Sequence, residues 1–137
     1  MALAFVVTLE KELPESAAYA KGKTGKALGR ESDKLDSTAR RKGAEPLTAL
    51  LSESQAALRA QLEADGFDPN KMRLPPELWF DAAQGLKTVR ALIEYVSANL
   101  NDFKQPNPIL RDLNAAESLL AASQAAGVRF HFSKADL

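Results

Sequence analysis

The sequence predicts an α+β fold: a mainly helical single domain with N- and C-terminal strands forming a small sheet. Two observations lead to this prediction. Apolar residues alternate with period two near each end of the chain, and between the ends they recur at spacings of three and four. The 137 residues contain no stretch that looks like a linker, so we expect one domain over residues 1–137.

The two predicted strands each have one apolar side. The first strand, residues 2–10, carries Leu3, Phe5, Val7 and Leu9 on that side. The second strand, residues 128–133, follows Gly127 and carries Val128, Phe130 and Phe132. Such alternation is typical of a strand with one buried face. Because an isolated strand leaves its backbone N–H and C=O groups without partners, we expect the two strands to pair in one sheet.

Two helices are predicted in the first half of the chain. Residues 26–42 carry an apolar stripe and end in Arg40-Arg41-Lys42 before Gly43, which is typical of a helix C-terminus. Residues 53–65 follow a capping-box pattern formed by Ser52 and Gln55. Residues 14–25 show no such periodicity and are predicted to be irregular.

The strongest helical signal begins near Asp81, which can cap the helix while the Gln84 side chain reaches back to the Asp81 amide. The apolar residues of this helix recur at spacings of three and four: Leu86, Val89, Leu92, Ile93, Val96 and Leu100. A last helix is predicted to start at Asn107 and Pro108 and to run to Gly127. Residues 67–80 form a long irregular connection, near the length at which a loop often has a function.

Charge and cysteine content exclude several classes of function. The chain has 18 basic and 18 acidic side chains, so no one-signed field attracts nucleic acid or an anionic membrane. Residues 20–43 carry a local basic excess with few aromatic residues, which favours a solvated helix face over nucleic-acid binding. The absence of cysteine removes thiolate metal sites and thiol nucleophiles.

A glycine-containing run at residues 21–26 has some features of a phosphate-binding loop. Its Gly25-Lys26 pair lacks the glycine five residues earlier and the following hydroxyl residue of a Walker loop, since Ala20 and Ala27 occupy those positions. We therefore expect no nucleotide cofactor. Since His131 is the only histidine, sites that need two imidazoles are excluded, and no metal site is predicted.

The N-terminal apolar run, residues 2–9, lacks the preceding positive charge of a secretory signal. No apolar run approaches the ~18 residues of a membrane span. We therefore expect a cytoplasmic protein without membrane association.

Four residues are candidates for a ligand-binding site: Trp79, Asp81, Arg129 and His131. Trp79 and Asp81 lie at the start of the strongest helix, whose free N-terminal amides attract anions. His131 shares a strand face with Arg129 and Ser133, and a histidine beside a carboxylate can act as a general acid or base. The structural alternative, which the sequence favours, is that Trp79 covers a core edge, Asp81 only caps the helix and His131 is an ordinary strand residue. No residue is assigned a catalytic role.

Three segments resemble a family of small uncharacterised bacterial proteins. The first runs from Trp79-Phe80-Asp81 to Gly85-Leu86 and on to Leu92, the second is Leu110-Arg111-Asp112-Leu113, and the third ends in Gly127-Val128-Arg129-Phe130-His131-Phe132. The distinctive parts are a W-F-D-x-x-x-G-L motif before the longest helix and a terminal G-V-R-F-H strand. The resemblance implies the order strand, helices, strand. It implies no activity, cofactor or catalytic residue.

The function is not fixed by these patterns, and three hypotheses follow from them. The first is a non-catalytic protein-interaction or self-associating module, because no catalytic signature occurs and a small sheet leaves strand edges open. The alternative is a small-molecule or anion-binding protein, or an enzyme, with a cleft near Trp79 and His131. The third, weak nucleic-acid binding through residues 21–42, is disfavoured by the neutral net charge.

Overall fold

The first and last strands of the described chain meet in an antiparallel sheet. A computed structural model describes residues 3–137, and within them β1 (Leu3–Leu9) pairs with β2 (Phe130–Asp136), placing Val7 opposite Phe132. The same residues contain six α-helices: α1 (Pro14–Lys21), α2 (Lys26–Arg30), α3 (Ser32–Arg41), α4 (Gln55–Ala64), α5 (Ala82–Ala98) and α6 (Pro106–Ala126). The α+β class with a small sheet of terminal strands is confirmed. Residue 2 of the predicted first strand lies outside the described residues.

One face of the sheet packs against the helices. Phe130 and Phe132 on β2 are fully buried there, and Phe5 and Val7 on β1 are nearly so. The closest contact is at Gly85 of α5, where an added Cβ atom would lie 2.4 Å from the Phe130 ring. A side chain at position 85 would therefore push α5 away from the sheet.

Helices α5 and α6 pack against each other and supply most of the remaining core. Their buried apolar side chains recur at helical spacing: Leu86, Val89, Leu92 and Val96 from α5, and Leu113, Ala116 and Leu120 from α6. Each fully buried leucine or valine contributes about 1.5–3 kcal/mol. The predicted cap of α5 is present, since the Gln84 side chain accepts a hydrogen bond from the Asp81 N–H.

The edge of β1 that faces away from β2 is covered by the chain around α2. The Phe5 N–H donates to the Gly25 carbonyl at 3.0 Å, and the Val7 N–H donates to the Tyr19 hydroxyl at 2.9 Å. At Gly29 an added Cβ would lie 2.4 Å from the Leu3 carbonyl oxygen. Glycine at this position thus lets the helix backbone lie directly on the strand backbone.

The other edge of the sheet, along β2, is also occupied. Phe80 and Phe130 exchange both backbone hydrogen bonds at 2.8 and 2.9 Å, and the Ser52 N–H donates to the Phe132 carbonyl at 2.9 Å. The strand edges that motivated the interaction hypothesis are therefore paired over much of their length. An interaction surface has to be sought elsewhere on the molecule.

Two predictions in the first half of the chain were wrong, one of an irregular segment and one of a single continuous helix. Residues 14–25 were expected to be irregular, but α1 forms there with Pro14 at its first position, where a missing N–H costs nothing. The helix predicted over residues 26–42 is broken at Glu31, whose backbone leaves the helical region. The break lets α2 lie on β1 while α3 packs against α5.

Three other element ends differ by a few residues. Ser54 rather than Ser52 caps α4, because the Ser52 hydroxyl accepts a hydrogen bond from the Leu78 N–H at 2.7 Å instead. Helix α6 begins at Pro106, two residues earlier than expected, because prolines are tolerated throughout the first helical turn. Strand β2 runs from Phe130 to Asp136, later than predicted. Among residues 3–137, no helix combines the length and the apolar character needed to cross a membrane.

Candidate functional site

The structure brings His131 and Trp79 into direct contact. Their rings are tilted by 41° and their centroids are 4.5 Å apart. His131 lies on β2 and points to the face of the sheet opposite the helices, while Trp79 comes from the segment that leads into α5. His131 is only 1% exposed, so the indole and the segment around it close over the imidazole.

Both ring nitrogens of His131 have polar neighbours. A Glu77 carboxylate oxygen, Oε2, lies 2.7 Å from Nε2, and the Ser133 hydroxyl and the Phe132 carbonyl oxygen each lie 3.1 Å from Nδ1. The Ser133 hydroxyl is in turn 2.9 Å from the Thr8 hydroxyl on β1. A continuous series of hydrogen-bonding groups therefore runs from Glu77 across the sheet to Thr8.

The chemistry of these groups determines which protons they hold. An ionised carboxylate only accepts hydrogen bonds, so the Nε2 atom of His131 carries a proton and donates it to Glu77. In the neutral tautomer Nδ1 then accepts a hydrogen bond from the Ser133 hydroxyl and makes none to the Phe132 carbonyl oxygen, which has no proton to donate; in the doubly protonated ring Nδ1–H would donate to that carbonyl or to Ser133. This order of carboxylate, imidazole and hydroxyl is the arrangement in which a serine oxygen can lose its proton to a histidine.

Solvent reaches the two ends of this series and not its centre. The Glu77 side chain is 26% exposed and Ser133 is half-buried, whereas the imidazole between them is closed off. The same contacts hold the segment around Glu77 and Trp79 onto the sheet. The contact between Glu77, His131 and Ser133 therefore has a structural role, and Ser133 is the hydroxyl in it that solvent reaches.

The other two candidate residues lie together in a separate depression. Asp81 and Arg129 line a cavity of about 250 Å³ where the first turn of α5 meets the end of α6. The Arg129 guanidinium makes a two-pronged ion pair with Glu10, with nitrogen to oxygen distances of 3.1 and 2.5 Å. Its hydrogen bond and charge interaction with Glu10 raise the pKa of Arg129 further above its ordinary value. Arg129 is therefore already neutralised by a protein carboxylate.

Sequence reasoning missed Glu77 as a neighbour of His131. Glu77 lies in the irregular connection, where no periodicity assigns a direction to its side chain, so the sequence held no signal for this contact. Ser133 carried a signal, because residues two apart on a strand share a face. Thr8 faces His131 through the register of the two strands, which the sequence did not specify.

A second feature stands apart from the core: the arm, defined as residues 53–78, which comprises α4 and the segment after it. Helix α4 buries none of its side chains. Three large apolar residues in the rest of the arm are strongly exposed: Phe67 at 57%, Met72 at 46% and Leu78 at 51%. Exposed apolar side chains grouped in one segment mark an interaction surface more often than scattered ones do.

The arm also borders an apolar groove of about 300 Å³. Its apolar lining consists of Leu51, Leu58, Pro75, Pro76 and Leu78. Two hydrogen bonds fix the shape of the arm around this groove. The Arg59 guanidinium donates to the Asn70 side chain at 3.0 Å, and the Leu78 N–H donates to the Ser52 hydroxyl. Leu78 is thus both an exposed apolar residue of the arm and part of the groove lining.

The basic residues of the segment 20–43 are partly occupied by contacts within the chain. The Lys34 ammonium lies 4.7 Å from the Phe103 ring centroid and donates to the Asp102 carbonyl. The Arg41 guanidinium and the Lys42 ammonium lie 5.4 and 5.8 Å from the Tyr95 ring centroid. These cations rest on aromatic rings rather than standing free as one patch.

Residues 3–137 hold no group of three or more histidine, aspartate or glutamate side chains placed to bind a metal ion. The chain matches no known protein family, no curated protein sequence and no solved structure. Its function therefore has to be argued from its own surface and side chains.

Proposed function

We propose that this chain is a non-catalytic protein-interaction module that self-associates through the arm. The observation that carries the proposal is Phe67, which is 57% exposed in the arm, the same segment that supplies four apolar residues to the groove. Net charge zero means that two copies do not repel each other at long range. The module is proposed to work in a bacterial cytoplasm, as the sequence predicts, without a nucleic-acid partner.

The size of the groove supports a second copy as its occupant. An apolar cavity of ~150 Å³ admits a benzene ring. The groove beside Leu58 and Leu78 has about 300 Å³, which is enough for the ring of Phe67 from another copy. A segment that carries both an exposed ring and a groove can pair with a second copy about a two-fold axis, each ring entering the groove of the other copy.

The charges of the arm are compatible with such a pair. Exposed basic residues (Arg59, Lys71, Arg73) and exposed acidic residues (Glu63, Asp65, Asp68) are interspersed along it. A two-fold interface of mixed sign can place opposite charges across the axis. Because association costs ~4–15 kcal/mol in lost freedom and each buried phenylalanine returns about 1.5–3 kcal/mol, we expect a weak, concentration-dependent dimer.

Sedimentation equilibrium over ~1 μM to ~1 mM protein tests the proposal. The wild-type chain is expected to form a dimer that Phe67→Ser weakens at least tenfold. Leu100→Ser is the matched control, since Leu100 is 45% exposed but lies outside the arm. A strict monomer at every concentration would overturn self-association, and a dimer lost in Leu100→Ser but kept in Phe67→Ser would overturn the assignment to the arm.

We infer a second candidate function, a small-molecule-binding or enzymatic role at His131, from the alignment of Glu77, His131 and Ser133. With Glu77 fixing the Nε2 proton, Nδ1 is placed to take the proton of the Ser133 hydroxyl 3.1 Å away. A serine activated in this way attacks electrophilic acyl or phosphoryl centres.

A fluorophosphonate probe tests this second candidate. The Ser133 oxygen would bond to phosphorus, fluoride would leave, and the hydroxyl proton would pass to His131. Mass spectrometry is expected to find the label on Ser133 and to lose at least ~100-fold of it in Glu77→Gln. Ser54 is an internal control, because its hydroxyl only caps α4. Equal labelling of Ser54 and Ser133, or none, would remove this candidate.

A further inference from the structure

The outer edge of β2 is open at its last residues. The Lys134 N–H points to this edge, where it donates to the Glu53 carboxylate at 3.1 Å. Because every second residue of a strand turns its N–H and C=O toward the same edge, the Lys134 C=O and the Asp136 N–H and C=O face outward as well. Within the described part of the chain these three groups make no hydrogen bond, and both residues are exposed.

A space for a further strand lies beside this open end. A cavity of about 640 Å³ separates it from α4, with Lys134, Ala135 and Asp136 in one wall and Ala57 and Leu58 in the other. The cavity shares Leu58 and Lys134 with the apolar groove of about 300 Å³ that borders the arm. The open edge is therefore continuous with the surface proposed for self-association.

The charges at this end of β2 are complementary to those of a second copy. Lys134 and Asp136 are two residues apart, so their side chains share one face of the strand. If two copies of β2 pair antiparallel about a two-fold axis at Ala135, Lys134 of each copy lies opposite Asp136 of the other. Opposite charges placed directly across two strands stabilise the pair, whereas an edge that carried one sign of charge would repel its own copy.

The same register also matches the open backbone groups. Directly opposite residues whose N–H and C=O point toward each other exchange both hydrogen bonds in an antiparallel pair. The Asp136 N–H of each copy then donates to the Lys134 C=O of the other. The Asp136 C=O of the second copy takes the place of the Glu53 carboxylate at the Lys134 N–H, so Glu53 holds that position in the single chain.

We propose that a second copy of this chain pairs along the end of β2, about a two-fold axis at Ala135, so that the two small sheets join into one sheet of four strands. This inference rests on the proposed self-association and locates its axis. It does not depend on Phe67, because the backbone groups and the charges of Lys134 and Asp136 define the pairing by themselves.

Charge reversal tests the register by sedimentation equilibrium. Asp136→Lys turns two attractive pairs into two repulsive ones and is expected to weaken the dimer about tenfold or more. The double variant Lys134→Asp with Asp136→Lys exchanges the two charges and is expected to restore it. Asp33→Lys makes the same change at an exposed position of α3, outside the arm and the sheet, and is expected to leave the dimer within about twofold of wild type.

Amide hydrogen exchange tests the backbone pairing in the wild-type chain. The Asp136 amide is expected to become protected as the protein concentration rises through the range in which the dimer forms. A dimer that leaves this amide unprotected, or that Asp136→Lys does not weaken, would overturn the inference while self-association stands. A strict monomer would overturn both. Protection of Asp136 in a monomer that holds an extended peptide of another protein would assign the edge to that peptide and overturn the pairing of two copies.

Discussion

The imidazole of His131 contacts two residues of the irregular connection: its ring centroid lies 4.5 Å from that of the Trp79 indole, and its Nε2 donates to the Glu77 carboxylate at 2.7 Å. Both partners precede α5 by only a few residues. The pair therefore fixes where the connection crosses the sheet, and it does so through a side chain that solvent does not reach.

Removal of the Glu77 carboxylate is expected to destabilise the fold. In Glu77→Ala the buried Nε2–H of His131 loses its acceptor, which costs about 1–3 kcal/mol of unfolding free energy. Urea denaturation measures the change. Glu63→Ala on the exposed side of α4 is the control and is expected to stay within about 0.5 kcal/mol of wild type. A Glu77→Ala variant as stable as that control would show that the contact does not hold the connection.

The close approach of α2 to β1 predicts opposite effects for two glycine substitutions. In Gly29→Ala the new Cβ would meet the Leu3 carbonyl at 2.4 Å, so α2 must move off the strand at a cost of about 1–3 kcal/mol. Gly22 has φ −69°, and the nearest atom to an added Cβ, the Tyr19 carbonyl oxygen, lies 3.5 Å away, so Gly22→Ala is expected to be neutral or stabilising by up to about 1 kcal/mol. Thermal unfolding of both variants compares them directly.

Asp36 is expected to be the most sensitive acidic residue of α3. It is 5% exposed, and it accepts hydrogen bonds from the Leu47 N–H at 2.7 Å and the Thr48 hydroxyl at 2.6 Å. Asp36→Ala leaves these donors without an acceptor and should lower the unfolding free energy by about 3 kcal/mol. Asp33→Ala, at an exposed position of the same helix, is expected to change it by less than about 1 kcal/mol. Similar losses in the two variants would argue against an anchoring role for Asp36.

Tyr19 makes stability depend on pH in the alkaline range. Its pKa is raised in the folded chain, mainly by burial, so the folded state holds this proton at pH values where the unfolded state has lost it. The contribution is fully present below the ordinary value of 10.0 and is lost as pH rises through the higher folded pKa. The unfolding free energy of wild type should therefore fall more steeply above about pH 10 than that of Tyr19→Phe. Parallel curves for the two proteins would contradict this assignment.

Apart from α4, which a capping pattern indicated, the parts of the fold that the sequence predicted are those with a buried face. Strand β1 and helix α5 place apolar residues at their characteristic spacings, because one side of each packs into the core. Helix α1 has no fully buried residue and packs only Tyr19 against the core, so its sequence shows no apolar stripe. The sequence also carries no local signal for the helix break at Glu31. The break accompanies the packing of Gly29 against the Leu3 carbonyl, and Leu3 is distant in sequence.

The candidate site was predictable only in part, for a similar reason. His131 and Ser133 share a strand face, as the alternation of side chains along a strand predicts. The contact of His131 with Trp79 depends on how the irregular connection crosses the sheet, and no local pattern encodes that path. Helix α4 of the arm has no buried residue. Packing therefore imposes no apolar periodicity there from which its surface could be predicted.

Pairing β1 with β2 has a consequence for the synthesis of the chain. During translation β1 emerges before the six helices of the described residues. Its partner strand β2, which places Phe130 opposite Leu9, is made only after α6. Contacts between segments so distant in sequence form slowly, since the ends of a long loop must first be brought together. Until then Phe5 and Val7 lack their partners on β2, and the first elements able to cover the outer edge of β1 are α1, through the Tyr19 hydroxyl, and the turn before α2, through the Gly25 carbonyl.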